Sequence, residues 1–288
     1  MKEYLLTCPR GLEEITKTNI SKYITQNSQV VNGGVEFQGH KKDMYKVNLE
    51  SRTGMHLLEK IFSIKIHEPK KLYSSIYNLQ WYKFIKSNTT FMIRTKIKSN
   101  LFNKSNTVTL KIKDAIVDNI RKKFGKRPSI DKESPDLSLH VIILENTLNI
   151  YINTSGKPLF KRGYRSKIHK AGLNESLAAG LVLLSKWNYN TPFYDIMCGS
   201  GTIPIEAAMI AHNIPPGINR DDYAFKKLAN YDSSLWYSLI EKSKNKIVYD
   251  KEFSIYGSDH IRANVSLGFE SSIKIGLKNK IKFFVKNI

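Results

Sequence analysis

The stretch D-I-M-C-G-S-G-T-I-P-I-E-A-A, Asp195 to Ala208, decides how this chain is read. The apolar T-P-F-Y that precedes it reads as the end of a strand, and the residues from Thr202 onward read as a helix. Pro204 is compatible with that helix because it falls in the first turn, where its missing N–H removes no hydrogen bond. Gly199 and Gly201 allow the backbone to turn tightly and to approach a ligand without a side chain in the way. Strand, glycine loop and helix in this order make half of a doubly wound α/β unit, whose helix N-terminus presents unpaired N–H groups to the loop.

A lone G-x-G is a weak signal, and Asp195 at the strand end strengthens it and narrows the ligand. A dinucleotide site would place pyrophosphate here and carry a third glycine for close helix packing. G-S-G-T-I-P lacks that glycine, and a strand-end carboxylate would repel phosphate. It would instead welcome an ammonium group, such as that of the methionine part of S-adenosylmethionine, whose carboxylate could use the loop N–H groups. Asp259, at the end of the next apparent strand, S-I-Y-G-S-D, is placed as ribose-binding acids are. It lies well beyond the roughly 20 residues of an ordinary unit. An irregular, aromatic-containing insertion over residues 213–251 accounts for the excess. The bland alternative is a turn with an incidental Asp. Cys198 has no His or Lys neighbour in the motif and reads as a small filler rather than a nucleophile. His169, His212 and His260 show no metal-ligand spacing.

The chain has 288 residues, which at roughly 150 per domain suggests about two domains. No apolar run approaches the roughly 20 residues of a membrane span. The opening MKEYLLTCPRGLEEITK reads as a strand turning into a helix rather than a secretory signal, and the two cysteines, Cys8 and Cys198, are isolated. A cytoplasmic protein is the expectation. The net charge of +21 favours a polyanionic partner, although the preponderance of lysine among the 46 basic residues is also what a biased genome would produce. The distribution is more telling than the total. Basic residues outnumber acids strongly between Arg94 and Lys132.

Along the front half, residues 3 to 7 read as a strand, Gly11 to Lys22 as a helix, and V-V-N-G-G-V-E-F as a turn at Gly33 and Gly34 leading into a strand. Asp43 to Leu58 reads as a helix and Ile61 to Ile66 as a strand. A second unit follows, with Ile76 to Ile85 helical and T-F-M-I-R-T-K-I a strand. Val108 to Phe124 is the clearest helix, with Val108, Ile112, Ile116 and Ile120 on one face and Lys111, Lys113, Arg121, Lys122 and Lys123 on the other. Leu137 to Leu144 and Leu148 to Ile152 read as a hairpin. A mixed sheet with helices on one face is expected. S-G-K-P at Ser155 to Pro158 punctuates the chain as a domain boundary, and L-F-K-R-G-Y-R-S-K-I-H-K follows it. Arg162, Arg165, Lys167 and Lys170, interleaved with Phe160 and Tyr164, suit RNA, because guanidinium and aromatic planes stack on unpaired bases. A merely solvated linker is the competing reading. Leu173 to Trp187 is a further helix.

At these residues the sequence resembles the THUMP-domain RNA guanine-N2 methyltransferases, especially those acting on 23S ribosomal RNA. D-I-M-C-G-S-G-T is similar to that family's D-P-M-C-G-S-G-T, and H-K-A-G-L-N-E-S-L-A-A-G-L resembles its helix before the first strand. T-V-T-L-K-I-K-D-A-I-V-D-N-I-R-K-K-F and L-F-K-R-G-Y-R resemble the THUMP domain and its exit. The resemblance implies an α+β front, with a ferredoxin-like piece over residues 1–60 and a THUMP RNA-binding domain over 61–155. A partial α/β Rossmann-like methyltransferase domain over 156–288 follows. By position, Asp195, Cys198, Gly199, Ser200, Gly201 and Thr202 would cradle the methionine part of S-adenosylmethionine, Asp259 would hold its ribose, and Leu173 with Asn174 would border the pocket. Ile196 and Gly172 stand where the family commonly has proline.

The family's catalytic motif, N-P-P-Y or a close variant, follows the fourth strand. Its Asn and next carbonyl accept hydrogen bonds from the target amine, and its aromatic ring stacks on the extruded base. Here the one Pro-Pro pair, at Ile214 to Gly217, precedes Asp259 and so is not that motif. The expectation is therefore a C-terminally truncated or split member, methylating a guanine N2 of ribosomal RNA by family, with no catalytic residue assignable. A catalytically silent RNA-binding protein and an adenine-N6 DNA methyltransferase are the alternatives.

Overall fold

The computed structural model describes residues 1–165 and 172–287. Two sheets organise them. The larger, of eight strands, runs β2-β3-β1-β4-β8-β7-β5-β6. Its strands are β1 (Lys2–Thr7), β2 (Ser28–Val31), β3 (Gly34–Gly39), β4 (His56–Lys65), β5 (Thr90–Lys98), β6 (Ser129–Ile130), β7 (Leu137–Leu144) and β8 (Thr147–Asn153). Neighbours are antiparallel except for β5, which runs parallel to β6 and β7.

The junction between the two front units lies within β4. Leu58 pairs with Leu5 on one side and Asn153 on the other, so the sheet continues through both units. The expected division at residues 60 and 61 falls inside this strand. The helix expected over Asp43 to Leu58 is shorter in the structure. α2 (Lys41–Glu50) ends where Ser51 turns extended, and Leu57 and Leu58 alternate across β4 instead. Helical spacing of leucines near a helix end cannot reveal that two other strands are waiting to pair with the segment. The start of α2 is well determined locally. The Asp43 carboxylate accepts the His40 N–H at 2.8 Å, completing a capping box.

α4 (Ser105–Phe124), following α1 (Glu13–Ser21), α2 and α3 (Leu72–Tyr77), packs Val108, Ile112, Ile116 and Ile120 against the buried side of β5, β7 and β8. The segment expected to be helical over Ile76 to Ile85 contains the end of α3 and a single 3-10 turn at Trp81–Lys83. Trp81, fully buried, donates its indole N–H to the Ile76 carbonyl.

The smaller sheet is parallel, in the order β11-β10-β9, with β9 (Phe193–Asp195), β10 (Ile255–Asp259) and β11 (Lys282–Val285). α5 (Glu175–Leu184), α6 (Thr202–Ala211) and α8 (Arg262–Lys274) belong to this domain. α6 directly follows the glycine loop, as the strand–loop–helix reading predicts.

The insertion over 213–251 is not irregular. It forms a 3-10 turn at Ala224–Lys227 and α7 (Ser233–Lys244); its middle docks on the front unit, while Ile214, Ile218 and Ile247 near its ends join the core of its own sheet. Tyr223, Phe225, Trp236 and Leu239 share one core with Tyr4, Leu6, Phe37, Tyr45, Leu49 and Leu57. Polar bonds register the contact: Gly217 N–H to Leu49 O at 2.9 Å, Phe225 N–H to Thr154 O at 2.9 Å, and Asp232 N–H to the Tyr45 hydroxyl at 2.9 Å. A side chain at Gly217 would collide with the Tyr223 hydroxyl, 2.1 Å from an ideal Cβ. The insertion was read as irregular because half of its apolar residues face a partner that lies nearly 200 positions earlier in the chain. Trp236→Ala removes the largest side chain of that contact, which is 1% exposed, and should destabilise the protein by about 3–5 kcal/mol in urea unfolding. Cleavage within the insertion by a limiting amount of protease should accelerate in parallel.

Candidate cofactor site and the basic segments

The loop from Asp195 to Thr202 is held by the end of β10 and by a bond of its own. Cys198 N–H bonds to the Ser258 carbonyl at 2.9 Å, and Gly201 N–H to the Cys198 carbonyl at 2.8 Å. Gly199 N–H donates to Asp259 Oδ2 at 3.0 Å. Gly199 and Gly201 both take left-handed backbone angles, at φ of 52° and 76°. A Cβ on Gly201 would meet the Phe283 ring at 2.8 Å, whereas one on Gly199 would meet nothing within 4 Å. Gly201 is therefore required for packing, and Gly199 keeps the ligand side open.

A pocket of about 300 Å³ lies over this loop. Asp195, Cys198, Gly199, Ser200 and Thr202 line it, with Leu173 opposite. Gly172, Met197, Ile203 and Asn264 complete it. Met197, Ile203 and Asn264 were not singled out from the sequence, and Gly172 only as a position where the family commonly has proline. Ile203 follows Thr202 directly and was within reach of a position-by-position reading, whereas Asn264 arrives from α8 through tertiary packing. Three expected residues, Gly201, Asn174 and Asp259, are not part of this lining, and Asp259 instead accepts the Gly199 N–H. Gly201 supports the loop from below as the N-cap of α6. Asn174 caps α5, accepting from the Ser176 N–H at 2.9 Å and the Leu177 N–H at 3.2 Å, and its amide nitrogen lies 3.8 Å from Met55 Sδ.

The two acids differ in environment. Burial raises the Asp195 carboxyl above its ordinary range, the Met197 N–H pulls it back, and the charge of Asp259 adds to the rise. Burial works in the same direction on Asp259, but bonds from the Ile261 N–H, the Asn264 amide and the Gly199 N–H outweigh it and bring that carboxyl below its usual value. Asp259 is thus a braced anion, and Asp195 is a carboxylate without a cation. Among the described residues it has no ion-pair partner. A ligand ammonium fits that deficit, and the loop and α6 N–H groups fit a neighbouring carboxylate. Burial, with Asp195 and Asp259 nearby, pushes the Cys198 thiol up to about 12, so it stays protonated at neutral pH as a filler would. No cluster of metal-ligating side chains occurs among the described residues.

The basic segment after Ser155 requires correction. Ser155 and Leu159 are buried, and the Arg220 guanidinium gathers the carbonyls of Ser155, Lys157, Pro158 and Lys161 around itself. Arg162, expected to contact RNA, is 1% exposed. It donates to the carbonyls of Leu159 and Arg52 and faces the Glu206 carboxylate of α6 at 3.5 Å. Tyr164, expected to stack on a base, is 1% exposed and donates its hydroxyl to Glu206 at 3.1 Å. Arg165 is turned inward too. It pairs with Glu175 at 3.0 Å, donates to the Thr202 hydroxyl at 2.8 Å, and donates to the Leu173 carbonyl. It thereby joins two walls of the pocket. Basic and aromatic residues in alternation describe a wet RNA surface and a buried charged seam equally well, and only the position of Glu206 and Glu175 separates them. Lys167 and Lys170 lie outside the described residues. Lys111, Lys122 and Lys123 are exposed on α4, while Lys113 and Arg121 pair with Asp114 and Asp118.

Arg162→Ala should cost about 3–5 kcal/mol of stability, because it leaves Glu206 buried without its partner. Urea unfolding checks this, and a solvated arginine would leave the midpoint unchanged. Asp195→Asn should raise the thermal midpoint of the ligand-free protein at pH 7. A carboxyl with a raised folded-state pKa costs stability once ionised, and that cost grows as pH rises from the unfolded value through the folded one. The gain should vanish at pH 3, where both states are protonated.

Comparison with known proteins agrees with this architecture. The RlmL ferredoxin-like domain matches residues 3–58, the THUMP domain residues 67–153, and the RMKL-like methyltransferase domain residues 162–288. Among solved structures, SMU.472 complexed with SAH aligns at 29% identity over 98% of this chain and 74% of its own, with a TM-score of 0.87. A predicted N6-adenine-specific DNA methylase from Listeria monocytogenes aligns at 28% identity over 98% and 74%, with a TM-score of 0.88. A possible methylase from Clostridium difficile aligns at 28% over 99% and 75%, with a TM-score of 0.89. The chain carries, in order, a ferredoxin-like domain, a THUMP domain and an RMKL-like methyltransferase domain.

Proposed function

We propose that the protein acts in S-adenosylmethionine-dependent methylation of a guanine N2 in ribosomal RNA, through residues that hold the cofactor. The observation that carries the cofactor assignment is Asp195, a half-buried carboxylate with no ion-pair partner among the described residues, lining a pocket over the glycine loop and the start of α6. The cofactor supplies a methyl group on a positively charged sulfur, ready for transfer to a nucleophilic nitrogen. Asp195 accepts from the ammonium of its methionine part, and Ser200, with the first turn of α6, meets its carboxylate. Asp259 braces the loop, with acceptor capacity left for a ribose hydroxyl. Leu173 and Ile203 supply apolar wall. The buried, unbridged Cys8 and Cys198 fit a reducing compartment such as the cytoplasm, and no helix of the described residues is long and apolar enough to cross a membrane.

The division into three domains follows the same reading, with β4 shared by the first two. No Asn-Pro-Pro-Tyr motif occurs in the 288 residues, so the groups that grip the target base are proposed to lie outside them. The Listeria protein is described as acting on adenine N6 in DNA, which supports a second reading. The THUMP domain favours RNA.

Calorimetric titration should show S-adenosylmethionine binding that Asp195→Ala abolishes. At about 100 times the dissociation constant the ligand should add about 2.7 kcal/mol of stability. Binding unaffected by the substitution would overturn the cofactor assignment. Transfer of a labelled methyl group to ribosomal RNA, followed by nucleoside analysis, should yield N2-methylguanosine when a segment carrying an Asn-Pro-Pro-Tyr motif is supplied, and label in N6-methyladenine would overturn the guanine reading. Bound cofactor and RNA with no transfer under those conditions would favour the silent RNA-binding protein.

A further inference from the structure

A cavity of about 520 Å³, larger than the pocket over the glycine loop, opens where the three parts of the molecule meet. Lys2 and Glu59 reach it from the ferredoxin-like unit, Tyr82 to Phe84, Lys86, Asn88, Thr89 and Asp136 from the THUMP unit, and Lys227 to Asn230 from the methyltransferase insertion. The volume is within the range of about 300–1,000 Å³ typical of small-ligand sites. We infer that this cavity is a subsite for an unpaired segment of the RNA substrate, an assignment that rests on the RNA reading above.

The lining has three chemical layers. Leu137, Ile152 and Leu228 make an apolar floor. Asn88 and Asn230 offer amide groups suited to base edges, and Tyr82, 41% exposed, offers a ring face. Ammonium groups stand around them. Lys2 is paired with Glu59 at 2.5 Å and Lys227 with Asp136 at 3.8 Å, but Lys83 and Lys86 are exposed and have no carboxylate partner among the described residues. A base over an aromatic ring with lysines at its phosphates is how single strands are held without sequence readout.

The C-terminal end of α4 also reaches the rim of the cavity at Tyr82. The Lys123 ammonium stands 5.2 Å from the centre of the Tyr82 ring, so the exposed lysines at the end of that helix lead to the cavity mouth. A duplex lying along α4 could pass its unpaired end into the cavity. Because Lys227 belongs to the insertion, RNA held here would touch the methyltransferase domain as well as the front units.

The test uses the full chain and two labelled RNA hairpins, one blunt and one with an unpaired tail, followed by fluorescence anisotropy across a salt series. The wild type should prefer the tailed hairpin. Lys83→Ala/Lys86→Ala should lower its affinity roughly 20-fold near 0.1 M salt and flatten the log–log salt dependence by about 1.4, since each phosphate contact on a single strand contributes about 0.7. Tyr82→Ala should cost at least about fivefold on the tailed hairpin and nothing on the blunt one. Unchanged melting and S-adenosylmethionine affinity would show that the variants are folded. Variants that keep the wild-type preference overturn the subsite, as does a cavity blocked by polyglutamate but not by the tail. A wild type that binds neither hairpin nor S-adenosylmethionine overturns the functional reading itself.

Discussion

The guanidinium of Arg162 sits where three segments cross. It bonds to the carbonyl of Arg52 at the end of the first unit's helix, to the carbonyl of Leu159 in the connecting strap, and to Glu206 on the helix that leaves the glycine loop. Each of these groups is buried, so none can exchange its partner for water. A charge held this way tolerates little displacement, because movement of α6 would leave a carboxylate or a guanidinium desolvated and alone. The direction in which the cofactor loop faces is consequently tied to the front of the molecule. Arg165 extends the same seam one turn further, to the pocket walls at Leu173 and Thr202.

Around this seam the insertion acts as an apolar clamp. Its aromatic residues fill one face of the ferredoxin-like unit, with Trp236 edge-on to Tyr45, Tyr223 and Phe225. Burial of these rings supplies affinity between the parts, whereas the buried ion pair supplies direction. The two effects have different tolerances. Apolar packing accepts modest changes of shape at a cost of about 1–3 kcal/mol, but an unpaired buried charge does not. An enzyme that must present one RNA position to one methyl group gains from such an arrangement, since a loosely tethered RNA-binding front would leave the target position undefined.

The pocket itself shows division of labour between two carboxylates at successive strand ends. Asp259 accepts three donors from its own neighbourhood and shapes the loop. Asp195 has no ion-pair partner among the described residues, and burial raises its carboxyl above the ordinary range. Keeping the charges apart in role, though not in space, lets a short motif both hold its conformation and bind.

Much of this was legible from the chain alone. Asp195, Gly199 and Gly201 could be read because strand, tight turn and helix start are local events with local residue requirements. The heptad-like face of α4 and the β7–β8 hairpin could be read because periodicity reports which side is buried. The extent of α2, the path of the sheet through β4, and the docking of the insertion could not, since each depends on pairing with residues far away in sequence. The same holds for Arg162, Tyr164 and Arg165. Charge and aromaticity name the interactions a residue can make, but whether it meets an RNA phosphate or a buried carboxylate is decided by what the folded chain places beside it.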